Sequence, residues 1–188
     1  MVRGDNIPRI HDRSYLDALE QATRYDSCYE GFDARAFFAV TFESDEFRRA
    51  RAIATARMLR MERVDEEALL AREADEGARF LDFTVGVYTP QPAWTVLGAK
   101  NSIWRIEVPR VDAAPVLPLS IERIERSDAN LQALYPYLYP AGAAYRLRFP
   151  RTDEQGFMVP GLDTPELALR IASAICRLEP AWRVAPAP

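Results

Sequence analysis

The sequence predicts a mainly β (α+β) protein, an antiparallel immunoglobulin-like β-sandwich with an N-terminal helix and an inserted helical hairpin. Two patterns lead to this fold class. After about residue 80, apolar side chains recur at every second position, which is the period of a half-buried strand. Before that point, apolar residues recur at steps of three and four, as in amphipathic helices. Short alternating strands between proline- and glycine-bearing turns are typical of two packed antiparallel sheets.

The 188 residues fit one domain with a core of its own. We expect residues 1–12 to form a disordered or extended polar lead, residues 13–184 to form the domain, and residues 185–188 to be a disordered tail. The lead lacks the apolar stretch of a signal peptide or an anchor. No apolar run approaches the roughly 20 residues of a membrane-spanning helix, so no transmembrane segment is predicted.

Helices are predicted in two regions of the first 80 residues. The first helix covers about 13–24 and can be capped by Asp12. The helical hairpin covers about 44–78, with Ser44 and Asp65 as N-cap residues. Acidic residues balance its arginine-rich face, which we interpret as solvent-exposed and ion-paired. The hairpin is expected either to cover one sheet face or to bind a partner.

Strands are predicted where apolar and polar residues alternate, or where a short aromatic run is bounded by polar residues. Residues 26–33, which include Gly31, are predicted to be a turn region, and residues 127–134 a short helical turn. The hairpin interrupts the series after the first strand. The predicted strands are 37–42, 81–88, 104–108, 117–124, 145–149, 167–171 and 182–184.

Charge and composition argue against several functions. The formal net charge of −4, without a basic half, disfavours a nucleic-acid partner, because neutralising phosphates requires a basic face. His11 is the only histidine, so Ser-His-Asp and Cys-His mechanisms lack their usual base, and multi-histidine metal sites are impossible within one chain. Glycine-rich phosphate loops are absent. We therefore predict no cofactor and no metal, and we favour a non-enzymatic role.

The two cysteines, Cys28 and Cys176, match no zinc-binding spacing. They are either two buried free thiols or one long-range disulfide. A disulfide would require an oxidising compartment.

Aromatic residues in loops provide the candidate binding residues. The segment YPYLYP alternates Tyr135, Tyr137 and Tyr139 with prolines that favour extended backbone. Trp94 lies in another proline-bearing loop. Tyrosine and tryptophan suit protein interfaces and sugar-stacking surfaces, but the same rings could plug one end of the sandwich. Trp104 and Trp182 lie in predicted strands and are assigned to the core.

Four runs of sequence carry a resemblance to a known group of proteins. They are SIWRIEV (102–108), VLPLSIER (116–123), LYPYL (134–138) and AYRLRFP (144–150). In these runs the chain resembles a set of uncharacterised secreted or lipid-anchored proteins of Gram-negative bacteria. No activity is assigned to that set, so the resemblance implies no site residues. It implies a periplasmic or cell-envelope location and adds weight to the disulfide.

The function that we expect is therefore a non-enzymatic, extracytoplasmic role. In it the protein binds another envelope protein or serves as an accessory subunit of an assembly, in a process that the sequence does not specify. One alternative is a carbohydrate-binding module that stacks sugars on Trp94, Tyr135, Tyr137 and Tyr139. Another is a hydrolase that uses two carboxylates, which leave no local motif among the 28 acidic residues.

Overall fold

A computed structural model describes residues 10–111, 113–125, 128–138, 142–152, 156, 158–159 and 165–184. The described residues form four α-helices, α1 (Arg13–Ala22), α2 (Asp45–Leu59), α3 (Arg63–Arg79) and α4 (Ala129–Leu134). They also form ten strands: β1 (Thr23–Glu30), β2 (Asp33–Phe42), β3 (Phe80–Tyr88), β4 (Arg105–Glu107), β5 (Ser120–Arg123), β6 (Ala143–Pro150), β7 (Glu166–Ala168), β8 (Arg170–Ala172), β9 (Arg177–Leu178) and β10 (Ala181–Arg183).

The fold is α+β with antiparallel sheets. A five-stranded central sheet has the order β1-β2-β3-β6-β5, and two smaller sheets have the orders β10-β7 and β4-β8-β9. The predicted strand 167–171 is split at Leu169, whose backbone N–H donates to the carbonyl oxygen of Pro180. One stretch of chain therefore supplies a strand to each of the two smaller sheets.

One face of the central sheet is apolar and shares a core with the two smaller sheets. Because side chains alternate across a strand, every second residue of β2, β3 and β6 points into this core. The tryptophans Trp104 and Trp182 are only 6% and 4% exposed, which confirms their assignment to the core. Other members of the core include Phe38, Val40, Phe83, Leu147, Phe149 and Ile171.

The opposite face of the central sheet is polar and lies largely under helices. A second apolar cluster forms where α1, α2 and α4 meet this face, around Tyr15, Phe47, Leu134 and Tyr135. The predicted hairpin is confirmed as α2 and α3. The hydroxyl of Ser44 accepts the backbone N–H of Phe47 at 3.1 Å, as an N-cap should.

The prediction for the start of the chain is wrong between residues 23 and 30, which form strand β1 after the first helix ends at Ala22. β1 pairs with β2 from Thr23↔Thr41 to Glu30↔Asp33, and the expected turn is confirmed only at residues 31–32, where Gly31 has a φ of 62°. β1 is an edge strand with many exposed residues, so its sequence lacks a continuous apolar phase. Its two tyrosines, Tyr25 and Tyr29, are four positions apart and do not give a period of two.

Two further element boundaries differ from prediction. Asp65 lies in the first turn of α3, whose N-cap residue is Glu62. Strand β5 begins only at Ser120, and the preceding Leu117 and Leu119 are 58% and 60% exposed. Among the described residues, no helix is long and apolar enough to cross a membrane. The expected tail at 185–188 and most of the expected lead lie outside the described residues.

Cys28 and Cys176 form a disulfide, which joins the edge strand β1 to the segment between β8 and β9. Cys28 lies on the core side of β1, opposite Ala36 of β2. The bond spans 148 residues of sequence, so it restricts a large part of the unfolded chain.

Removing this bond should destabilise the protein. In the chain-entropy model a loop of this length is associated with about 5 kcal/mol, so we expect Cys28→Ser/Cys176→Ser to lower the free energy of unfolding by up to that amount. Denaturant unfolding with and without reductant measures it. Reductant should destabilise the wild type and leave the double variant unchanged. Equal stability of the reduced and oxidised wild type would contradict the prediction.

Candidate functional site

The hairpin meets the polar face of the central sheet through charged side chains. Asp82 of β3 is 2% exposed, and its carboxylate accepts hydrogen bonds from two arginines. Arg48 of α2 donates through Nη2 at 2.7 Å, and Arg148 of β6 donates through Nε and Nη2 at 2.8 Å each. Arg48 also donates through Nε to the carbonyl oxygen of Glu43 at 2.9 Å. These bonds link the sheet to the hairpin.

Burial and hydrogen bonding act in opposite directions on Asp82. Burial by itself raises the pKa of its carboxyl group, whereas the hydrogen bonds from Arg148 and Arg48 lower it. The hydrogen bonds and the two positive charges together outweigh burial, so the pKa lies below its ordinary value of 3.8. Asp82 is therefore a buried carboxylate that keeps its charge.

The expectation of a solvent-exposed arginine face on the hairpin is wrong for Arg48 and Arg51. Arg48 is 3% exposed, and the side chain of Arg51 is 14% exposed. The apolar residue Phe47 packs instead against Tyr15 and Tyr135, and on this helix Arg48 and Arg51 face the cavity towards the sheet. The polar side chains of the sheet then provide their partners.

A cavity of about 430 Å³ lies between the hairpin and the sheet. Its lining includes five arginines and four carboxylates. The arginines are Arg48, Arg51, Arg72, Arg146 and Arg148, and the carboxylates are Glu43, Glu73, Glu76 and Asp82.

Arginines hold most of the carboxylates of this cavity. Glu73 pairs with two arginines of α2, Glu76 pairs with Arg148, and Asp82 is held as described above. Glu43 accepts hydrogen bonds at Oε1 from Thr84 and from Tyr135. Its Oε2 lies 3.4 Å from Nε of Arg51, without the geometry of a hydrogen bond. Glu76 and Asp82 thus join the hairpin to the sheet, whereas Glu73 joins α3 to α2. Glu43 keeps one oxygen without a hydrogen bond in the described part of the chain.

The structure separates the candidate tyrosines. Tyr135 is fully buried, its hydroxyl donates to Oε1 of Glu43 at 2.6 Å, and burial raises its pKa. Tyr135 presents no ring face to a ligand in this conformation. Tyr137 shares a hydrogen bond of 2.7 Å with Thr41, and burial raises the pKa of its hydroxyl, while its ring is only partly covered. Tyr139 lies outside the described residues.

Trp94 lies in a short 3-10 turn at Pro92–Thr95 and is half-buried. Its carbonyl oxygen accepts a hydrogen bond from Nε1 of Trp104 at 2.6 Å. Trp94 therefore helps to attach this loop to the core tryptophan, and it is not among the residues that line the groove described next.

An aromatic groove lies on the polar face of the central sheet where the helices leave it uncovered. We define the aromatic groove by Tyr25, Phe37, Ala39, Gly86, Tyr88 and Tyr137, which surround a space of about 340 Å³. Three of its rings are strongly exposed: Tyr25 at 72%, Tyr88 at 47% and Phe37 at 38%.

Strand register explains the shape of the groove. Residues that pair across neighbouring strands form rows perpendicular to the strands. Ala39 and Gly86 pair directly and form a floor of small residues. The row on one side pairs Phe37 with Tyr88, and the ring of Tyr137 lies above the row on the other side, where its hydroxyl bonds Thr41. The groove therefore crosses the strands between two aromatic walls.

The groove residues were missed from the sequence, although a signal was present. Phe37 and Tyr88 lie in predicted strands, but at positions that alternate out of phase with the core residues. Large aromatic side chains in the polar phase of a strand indicate either a covering element or an exposed surface. Tyr25 gave no such signal because β1 had not been predicted.

The groove has an acidic end near β1. Asp26 is among the lining residues, but it pairs with the core residue Phe38, so its side chain lies on the other face of β1 from Tyr25. Burial, and then the charge of Glu20, raises the pKa of Tyr25. Residues 25–35 contain three carboxylates and one arginine, so the region around this end carries excess negative charge.

Acid should weaken the attachment of the hairpin through Asp82. The pKa of Asp82 is depressed in the folded protein, so its carboxylate stabilises the fold at pH values above its unfolded pKa near 4. This stabilisation is lost as the pH falls through the pKa that Asp82 has in the folded protein. We expect Asp82→Asn to cost about 3 kcal/mol at pH 7, because the buried Arg48 and the partly buried Arg148 lose the carboxylate that they share. The variant should also lose less stability than the wild type between pH 5 and pH 2, as measured by urea unfolding.

Asp75→Asn is the matched control, because Asp75 lies on the exposed side of α3 and pairs with Arg79. This control should resemble the wild type at neutral pH and in its acid response. Parallel acid slopes for the wild type and Asp82→Asn would contradict the assignment.

Among the described residues, no group of three or more histidine, cysteine or acidic side chains is arranged to hold a metal ion. Comparisons of the chain with protein-family profiles, with characterised proteins and with solved structures gave no match.

Proposed function

We propose that this protein is a non-enzymatic binding protein whose aromatic groove takes up an extended segment of another protein, apolar at its centre and basic at one end. The observation that supports this most strongly is the exposure of Tyr25, Phe37 and Tyr88 around the small-residue floor of Ala39 and Gly86. A row of exposed rings around a concave apolar surface is typical of an interaction site.

The aromatic side chains are held in place before any partner binds. Phe37 packs edge-on against Tyr29 at 5.9 Å and at a tilt against Tyr88 at 6.1 Å between ring centroids. Tyr25 packs edge-on against Tyr137 at 6.2 Å. Rings that are already ordered lose little conformational entropy on binding, so their buried area contributes more fully to affinity.

The dimensions of the groove favour an extended polypeptide. Positions two residues apart on a strand are separated by about 7 Å, so the rows on either side of the floor lie about 14 Å apart before ring thickness is subtracted. The remaining width accommodates one extended chain. Aromatic-lined grooves of this kind bind proline-bearing or aliphatic segments, because the rings pack against flat apolar side chains.

Charge favours a basic flank on the bound segment. The end of the groove at β1 lies near Glu20, whose charge acts on Tyr25, and Arg24 is turned away to donate to the carbonyl oxygen of Ala181. A lysine or arginine beside the apolar centre of the segment would complement this end and set its direction.

A glycan is the competing occupant, since tyrosine rings also stack on sugars. A glycan would need several polar partners for its hydroxyl groups. The hydroxyl of Tyr137 is already bonded to Thr41 and to the carbonyl oxygen of Thr84, and the floor of Ala39 and Gly86 offers no polar side chain. The groove thus suits an apolar polypeptide better than a sugar.

We place this role outside the cytoplasm, in the periplasm or cell envelope, as an accessory subunit of a larger assembly. The disulfide between Cys28 and Cys176 supports an oxidising compartment. We also propose that the sheets form a sandwich of immunoglobulin-like outline. Their shared core supports this proposal, with the helices as additions to one outer face.

Peptide selection tests the proposed function. Panning a random peptide library displayed on phage against the wild type should enrich peptides with proline or aliphatic centres and a basic flank. Binding of the selected peptides, measured by fluorescence polarisation, should weaken at least tenfold in Tyr25→Ser/Tyr88→Ser. The reason is that two exposed rings, each contributing about 1 kcal/mol or more, are removed.

Leu117→Ser/Leu119→Ser is the matched control, because these side chains are similarly exposed but do not line the groove. This variant should bind the peptides as the wild type does. The proposal fails if panning selects no peptide, if Tyr25→Ser/Tyr88→Ser binds equally well, or if only oligosaccharides bind in a tyrosine-dependent way.

A further inference from the structure

Arg72 and Arg146 differ from the other arginines that line the cavity between the hairpin and the central sheet. Arg48, Arg51 and Arg148 pair with carboxylates. Arg72 of α3 and Arg146 of β6 line the same cavity, and neither forms an ion pair with any residue that the structure describes. Two guanidinium groups from opposite walls thus remain available to a ligand.

Charge counting gives the sign of that ligand. The cavity lining contains five arginines and four carboxylates, which leaves one formal positive charge in excess. Arginine presents its donors in a planar fork that matches carboxylate and phosphate oxygens. We infer that the cavity binds a small organic oxyanion that also carries a hydroxyl group, with Arg72 and Arg146 holding the anionic end.

The hydroxyl group of the ligand is inferred from two polar atoms of cavity-lining residues that lack hydrogen-bond partners. Oε2 of Glu43 and Nε of Arg51 are buried, lie 3.4 Å apart and form no hydrogen bond with each other or with any described residue. Buried polar atoms normally have partners, because leaving one unpaired costs about 1–3 kcal/mol. A hydroxyl group can donate to the carboxylate oxygen and accept from the guanidinium at the same time, so it would satisfy both atoms.

The cavity also has the size and rigidity of a binding site. Its volume of about 430 Å³ falls within the range of small-molecule pockets. Its inner wall is fixed by the buried bonds of Asp82 to Arg48 and Arg148. Arg72 is exposed, whereas Arg146 is half-buried, so a ligand would be met at the surface and then held further inside.

Isothermal titration calorimetry at low ionic strength tests the inference with four probes. Gluconate and glycerol 3-phosphate carry both an anionic group and hydroxyl groups, and they distinguish a carboxylate from a phosphate as the anion. Acetate lacks the hydroxyl group, and glucose lacks the charge. We expect saturable binding of gluconate or glycerol 3-phosphate, weaker binding of acetate and none of glucose.

Substitutions connect this binding to the cavity. Arg72→Gln/Arg146→Gln should weaken binding at least tenfold, since charge-assisted hydrogen bonds are lost, and Arg72→Lys/Arg146→Lys should retain part of the affinity. Arg63→Gln is the control, because Arg63 lies on the same helix with its side chain 91% exposed and paired to Glu67. It should bind as the wild type does.

The inference is overturned if neither hydroxylated anion binds saturably, if glucose binds as well as gluconate, or if Arg72→Gln/Arg146→Gln binds like the wild type. Circular dichroism and the unfolding midpoint show whether that variant is folded. If Arg72→Gln/Arg146→Gln is not folded, Arg72→Lys/Arg146→Lys provides the test instead. The assignment of the two arginines is wrong if this folded lysine variant binds as tightly as the wild type, or if it does not bind at all.

Discussion

The architecture depends on how the charge of Asp82 is buried. A carboxylate that is 2% exposed in the centre of a sheet is tolerated only with matched positive charge and filled hydrogen bonds. Arg148 supplies these from the neighbouring strand, and Arg48 supplies them from the hairpin. The hairpin is therefore attached to this sheet face by direction-dependent bonds as well as by apolar contact, and its position along the strands is specified.

That position determines which part of the sheet stays open. The helices and the segment from Tyr135 to Leu138 lie over the rows that contain Thr41, Thr84 and Asp82. The next rows carry small residues and then aromatic residues, and they extend beyond the helices. The aromatic groove is thus the boundary between the charged, covered half of this face and its open half. Ordered rings at that boundary are consistent with a surface that meets a partner.

The sequence predicted the elements whose apolar residues follow a single period. Strand β3 and the hairpin were found because their apolar residues recur at two and at about 3.6 positions. β1 was missed because this edge strand exposes Tyr25 and Tyr29 and packs only a cysteine and a few polar residues inside, so it shows no continuous apolar phase. The cysteine pair was recognised as a candidate disulfide, but only the fold brings the two cysteines together.

The site was harder to predict, because periodicity says nothing about what covers a polar face. Arg48 and Arg51 look like solvent-exposed residues until the acidic partners that lie beneath them are known. Tyr135 and Tyr137 were singled out by their unusual spacing, but one is buried against Glu43 and the other forms a groove wall. Which ring is exposed depends on the hydroxyl partners that each finds on the sheet, and these are distant in sequence.

The groove and the charged cavity are connected through Thr84, which lines neither but bonds to one lining residue of each, and this limits how they can be separated experimentally. The carbonyl oxygen of Thr84 accepts a hydrogen bond from Tyr137, which lines the groove. The side-chain hydroxyl of Thr84 donates a hydrogen bond to Glu43, which lines the cavity. A substitution at Thr84 would disturb both places and would assign an effect to neither. Tyr25 and Tyr88 lie on the groove side and Arg72 and Arg146 on the cavity side, away from this shared bond. Changes at these four positions therefore act on one site at a time.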